Sequence, residues 1–370
     1  GDGAVAETAE GNNTAAAAIQ IGPDLIVLSL TGPPWGGASG SITVNDTTRN
    51  QASAAAPASA TRFYLSVNGV IDAPDVLLGS REVPALAGAT SSSGSTALTI
   101  PAGTPSGPYY LIAQADGDQV VAETQEANNT ALVFMWVGPD LTVAAVTAPP
   151  TADAGAAISV SDTTRNQGGG SATASLTRIY LSTNSVVDAG DTLLGSRDVA
   201  PLAAGASSAG STTVTIPASV ATGSYYLLVQ ADAGGAVAEA LETNNLAQAY
   251  VQIGPDLTMT IAAPSSAAAG SAITVSDTVR NQGGGAAPAT TSRFYLSANG
   301  SVDGGDALLG VRATPAIAAG GQDSGSSPFT IPAGTAPGTY YILSLADADN
   351  AVPEILETNN LGWRVLQVTP

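Results

Sequence analysis

The sequence predicts an all-β chain built as tandem seven-stranded antiparallel β-sandwiches. Three observations predict it. The composition is rich in turn formers and small or β-branched residues, with 42 Gly and 23 Pro in 370 residues. "GPDL" recurs at Gly22, Gly138 and Gly254, a period of 116 residues. Within each period, short alternating segments are separated by Gly, Pro, Asn and Asp, and no stretch has helical spacing.

A period of 116 is too long for a solenoid repeat and is the size of a small domain. Three complete units are expected, over residues 23–138, 139–254 and 255–370, each a bead with its own core. Residues 1–22 match the last loop and last strand ("AAAAIQIG") of a preceding unit. The chain opens inside a repeat, with no secretory leader, which predicts a longer parent.

In the second unit, strands are expected at 139–147, 157–167, 176–182, 192–199, 211–217, 224–232 and 246–254. "AISVSDTTRNQ" is closed by Gly168, Gly169 and Gly170, and "STTVTIP" is stopped by Pro217. In "LTRIYLS", Ile179 and Leu181 share one face, and Arg178 and Tyr180 the other. "GSYY" at 223–226 sits where such sandwiches carry a tyrosine corner, a ring hydroxyl tied to upstream backbone.

Composition also excludes chemistry. The chain has no Cys and no His, so thiolate sites, imidazole bases and ordinary zinc centres are absent. All ten basic residues are Arg, which removes Lys Schiff-base chemistry and lysine isopeptide cross-links. A net charge of −20 repels nucleic acid and anionic lipid and attracts cations. No apolar run reaches the 18 residues of a membrane span. Nine Arg follow the repeat, as Arg49, Arg165 and Arg280; Arg62, Arg178 and Arg293; and Arg81, Arg197 and Arg312, which favours structural ion pairs.

The order of "PDL", "DTTRNQG", "RIYLSTNSVVDAGDTLLGSR" and "GSYYLLVQADAGGAVAEALETNN" resembles the cell-adhesion-related domain found in bacteria, CARDB. The resemblance covers all three units nearly end to end. It implies an immunoglobulin-like sandwich in large repetitive surface proteins of bacteria or archaea, and no shared ligand. With only 5% aromatic residues, the cores are expected to be built from Ala, Val, Leu and Ile.

Two acidic clusters recur. One is E-x-x-E-x-N-N before the last strand, with Glu123 and Glu126, Glu239 and Glu242, and Glu354 and Glu357, preceded by Asp116, Asp232 or Asp347. The other follows the third strand, with Asp72 and Asp75, Asp188 and Asp191, and Asp303 and Asp306, each preceded by Asn68, Asn184 or Asn299. Asn and Asp cap their own backbone, so both clusters are readable as turns. They are also readable as Ca²⁺ sites, since oxygen ligands are nearly all this chain offers. In alternating strands the first cluster lies at the leading end of a bead and the second at the trailing end. Asp72 and Asp75 are therefore expected to meet Asp140, Glu239 and Glu242 of the next bead. Asp188 and Asp191 would likewise meet Asp256, Glu354 and Glu357, with Ca²⁺ at each junction or, failing that, within each loop. Paired carboxylates also permit glycosidase-type chemistry, but repetition in every bead argues against an enzyme.

The expected function is a non-enzymatic extracellular rod, stalk or filament on a microbial surface, associating with neighbouring repeats of the same polymer. Two alternatives remain open, an adhesin segment binding a glycan or protein receptor, and accessory modules of a larger secreted hydrolase. Trp35, Trp136 and Trp363 share no repeat position, so no carbohydrate-binding aromatic stripe is expected.

Overall fold

The computed structural model describes residues 5, 14–17, 19 and 21–370. The expectation that residues 1–22 form the last loop and strand of a further unit falls mostly outside the described residues. From Leu25 onward the described chain is all strand and loop, with 24 strands in three successive sets of eight.

The first set is β1 (Leu25–Thr31), β2 (Trp35–Gly36), β3 (Ser41–Asn50), β4 (Ser59–Ser66), β5 (Val76–Val83), β6 (Ser91–Thr99), β7 (Gly107–Gln114) and β8 (Thr130–Val137). The second is β9 (Leu141–Thr147), β10 (Thr151–Ala152), β11 (Ala157–Asn166), β12 (Ser175–Ser182), β13 (Thr192–Val199), β14 (Ser207–Thr215), β15 (Gly223–Gln230) and β16 (Leu246–Ile253). The third is β17 (Leu257–Ala262), β18 (Ser266–Ala268), β19 (Ala272–Asn281), β20 (Thr290–Ser297), β21 (Ala307–Thr314), β22 (Gln322–Thr330), β23 (Gly338–Leu345) and β24 (Leu361–Thr369).

Each set makes a three-stranded sheet (β1-β3-β6 in the first) and a five-stranded sheet (β2-β8-β7-β4-β5). The strand count differs from the expected seven because the first strand splits. β9 pairs antiparallel with β11, then the chain crosses at Pro149–Pro150 and β10 pairs parallel with β16 in the other sheet. Proline cannot continue a ladder, so the two prolines release the strand from one sheet and deliver it to the other.

The core follows the alternation. In β12, Ile179 is fully buried and Leu181 is 4% exposed; Val160, Ile216, Leu227, Val251 and Ile253 close the same cluster. The inward face of the second long strand changes character along its length. Ile158 and Val160 are followed by Asp162, Thr164 and Asn166, all buried. These polar residues survive burial because each is paired. Arg197 binds Asp162 across the sheets, with Nε donating at 3.0 Å, and Thr164 meets Thr177 at 2.9 Å. The guanidinium lies under Gly210, where an added Cβ would come within 2.4 Å of Arg197 Cδ. Arg81 with Asp46 and Arg312 with Asp277 repeat the clip, as the recurrence of Arg foretells. The tyrosine corner is present in two units, where Tyr109 donates to Pro105 O at 3.1 Å and Tyr225 to Ala221 O at 3.0 Å.

Successive units meet through glycine. Gly138 donates its N–H to Gly36 O, and its own carbonyl accepts from Gly170 N–H, both at 2.9 Å. Gly254 repeats this, donating to Ala152 O at 3.1 Å and accepting from Gly285 at 2.9 Å. Both linker glycines sit at positive φ (119° and 111°), which only glycine adopts cheaply. An added Cβ at Gly169 would lie 2.6 Å from Gly36 backbone atoms, and one at Gly284 would lie 2.3 Å from Ala152 N.

Candidate functional site

The E-x-x-E-x-N-N loop closes the leading end of its own bead. Glu239 Oε2 accepts the backbone N–H of Leu141 at the start of β9. Its Oε1 accepts from Asn245 Nδ2 at 2.8 Å. The Glu239 N–H donates to Glu242 Oε1 at 2.9 Å, and Ala240 N–H donates to Pro139 O at 2.8 Å. The carboxylate of Asp140, fully buried, accepts from Gln167 Nε2 at 2.7 Å and Asn244 Nδ2 at 2.9 Å. The same bonds recur at Glu123 with Leu25 and Asn129, and at Glu354 with Leu257 and Asn360. Glu126 and Glu357 cap the loop backbone at 3.0 Å and 2.8 Å. Asp256 takes the place of Asp140, held by Gln282 and Asn359.

Asp232 explains the upstream acid. It sits at φ 42°, and its carboxylate accepts from Ala236 N–H at 3.1 Å and Val237 N–H at 2.9 Å. The loop turns sharply around one side chain.

Burial pushes Glu123, Glu239 and Glu354 each up to about 7 from an ordinary 4.5, opposed by the strand N–H and the Asn amide and helped by the neighbouring acids. The Oδ1 atoms of Asn244 and Asn245, and of their counterparts Asn128, Asn129, Asn359 and Asn360, are buried with no partner among the described residues.

The Asn/Asp loop is local and exposed. Asn184 Nδ2 donates to Asp188 Oδ2 at 3.1 Å, and Asp188 N–H donates to Asp191 Oδ2 at 2.9 Å. Gly190 N–H and Asn184 hold the Asp188 carboxyl below its usual range. Asp72 and Asp75 bond in the same way inside their own loop, with Asp72 N–H donating to Asp75 at 3.0 Å. Among the described residues, no group of three or more His, Cys, Asp or Glu is gathered that could hold a metal ion. At the junction of the first two beads, Gly36 and Gly37 lie so near Gly169 and Gly170 that a Cβ added at Gly37 or Gly169 would come within 2.5–2.6 Å of the opposing backbone.

Two sets of residues escape a reading of the sequence by itself. Asn166 is the hub of the leading end, donating to Gly170 O at 2.7 Å and Leu202 O at 3.0 Å while accepting from Asp140 and Gly168 N–H. Its sequence signal is the recurring "RNQ", which by pattern reads as the end of a strand. The second set is aromatic. Trp35 and Trp136 are cross-strand partners in the parallel pair β2–β8, with ring centroids 6.1 Å apart. Phe134 packs on Trp136 at 5.2 Å and on Tyr110 at 5.7 Å. Outward rings also pair in the second bead, Tyr226 with Tyr250, and in the third, Tyr341 with Trp363, each at 6.0 Å, but the row of two indoles belongs to the first bead, contrary to the expectation from repeat positions. That expectation compared residues along the chain, whereas β2 places Trp35 beside Trp136 across the sheet.

The family model described as CARDB matches residues 22–133, 138–249 and 254–362. No curated protein matches the chain. A crystal structure of the CARDB domain of a Pyrococcus furiosus protein, in complex with di-metal ions, is 24% identical, covers 31% of this chain and 90% of that one, and has a TM-score of 0.26. A solution structure of the same domain is 26% identical over 31% and 96% of the two chains, also with a TM-score of 0.26. A domain of a putative cell surface protein from Methanosarcina acetivorans is 22% identical over 32% and 93%, with a TM-score of 0.23.

Proposed function

The chain belongs to the CARDB family, three copies in tandem, and from that premise we propose that it is a non-catalytic rod of the microbial cell surface. The observation that carries this reading is the linker. Gly138 and Gly254 are each bonded to the bead before and the bead after. A linker with both peptide groups engaged cannot swivel without breaking hydrogen bonds, so the array transmits force and holds distance. The acidic surface keeps it soluble and apart from nucleic acid. No helix among the described residues is long and apolar enough to cross a membrane. Small-angle scattering of the chain tests the rod. One extended particle of fixed maximum dimension is expected, and a distribution typical of freely jointed beads overturns it.

Calcium belongs to this reading as a separate proposal. The junction form would need Asp72 and Asp75 to reach Asp140, Glu239 and Glu242. The local form is better supported, because two buried amide oxygens without partners, on Asn244 and Asn245, lie beside Asp140 and Glu239. A second functional reading, direct binding of a glycan or protein receptor, is favoured by the aromatic face of the first bead.

A further inference from the structure

We propose that the outer sheet face of the first bead binds an uncharged polysaccharide through Trp35, Trp136, Phe134 and Tyr110. This deepens the receptor-binding reading and is independent of whether the array is a rod.

The fold does not require these rings. Register assigns each its counterpart. Trp35, Trp136 and Pro108 form one row across β2, β8 and β7. The same row is Thr151, Gln252 and Ser224 in the second bead and Ser266, Gln367 and Thr339 in the third. Three polar positions have become two indoles and a proline. One row further in, Phe134 pairs with Tyr110, where the second bead keeps an aromatic pair, Tyr250 with Tyr226, and the third has Val365 with Tyr341; the indole row is what sets the first bead apart. Phe134 is 46% exposed and its neighbour Leu132 is 47% exposed, while Trp35, Trp136 and Tyr110 are half-buried. Leaving such rings in water is unfavourable unless something covers them.

Charge and area select the occupant. None of these rows contains a carboxylate, and Arg62, on the same face, is paired with Asp118. A cationic partner finds no counter-charge in the rows that carry the rings, and an anionic one meets a chain of net charge −20. Four partly covered rings expose on the order of 250 Å². A stable protein interface needs roughly 800 Å² per partner, so a second copy of this chain is poorly served. A neutral sugar chain fits both limits. The axial C–H faces of pyranose rings carry partial positive charge and lie against the negative faces of aromatic rings. Its hydroxyls can reach the two indole N–H groups and the Tyr110 hydroxyl, which have no partner among the described residues.

The test is retention of the chain on insoluble cellulose, chitin, mannan and galactan, with tryptophan fluorescence titrations of the matching soluble oligosaccharides. Binding to at least one is expected, weakened tenfold or more in Trp35→Thr/Trp136→Gln. Those residues stand at the same positions in the second bead, so folding is retained, with melting as the check. The reverse graft, Thr151→Trp/Gln252→Trp, should add binding to the second bead. Failure to bind any of the four polysaccharides overturns the proposal. So does unchanged affinity in a folded double variant. A concentration-dependent dimer that the double variant abolishes, without glycan binding, assigns the face to a second copy instead. Scattering on the same samples reports the rod separately.

Discussion

Glu239 accepts the backbone N–H of Leu141, 98 residues away, and so fastens the last loop of a bead to its first strand. The contact closes the bead at the point where the chain enters it. Most of its chemistry follows from burying one carboxyl beside others.

That carboxyl makes stability depend on pH. Glu239 is pushed up to about 7 by burial, from an ordinary 4.5, so the folded bead holds the proton more tightly than the unfolded chain does. The stabilisation is complete below about pH 4.5 and is lost as pH rises through about 7. In chelator, melting temperature should fall between pH 5 and pH 8, and Glu239→Gln should flatten the second bead's share of that fall. A melting temperature that rises over this window would contradict the burial argument.

Calcium should act on the same group from the other side. A bound cation favours the ionised carboxylate, and binding stabilises the folded state by mass action. The local calcium proposal therefore expects millimolar Ca²⁺ to raise the melting temperature at pH 8 and to do little at pH 5. No change at pH 8, with no metal by elemental analysis, leaves E-x-x-E-x-N-N as a loop-closing network.

Leu181 probes whether beads fold independently. It is 4% exposed in the core of the second bead. Leu181→Ala should cost about 2–5 kcal/mol there and leave the other two transitions in place. A single shared transition in calorimetry would show that the beads unfold together.

Among the described residues, Arg197 is the one side-chain charge bound to buried Asp162. Arg197→Ala leaves that carboxylate unpaired, at a cost of about 3–5 kcal/mol. Asp162→Asn with Arg197→Met should recover part of it, which denaturant titration reads directly.

Gly169 sets the junction. Gly169→Val places side-chain atoms where Gly36 backbone lies, so scattering should report a bent or looser array while each bead keeps its melting temperature. The first unit has Ala52, Ser53 and Ala54 where the others have three glycines. Ser53 stands in the place of Gly169, so the same close docking is closed to that end of the bead.

The sequence by itself determined the repeat, the sandwich class and the alternating core, because period and hydrophobic pattern are local properties of the chain. Arg81, Arg197 and Arg312 were legible as structural for the same reason: each recurs in step with its strand. Only the tertiary structure decided where the acidic loops point. Glu239 and Asp140 are joined through strand order, which brings the last loop onto the first strand of the same bead. It also decided the aromatic face. Trp35 and Trp136 are 101 residues apart and become neighbours only because a two-residue strand changes sheets. Such contacts depend on which edge a strand joins, and that choice is made by the packing of the whole bead.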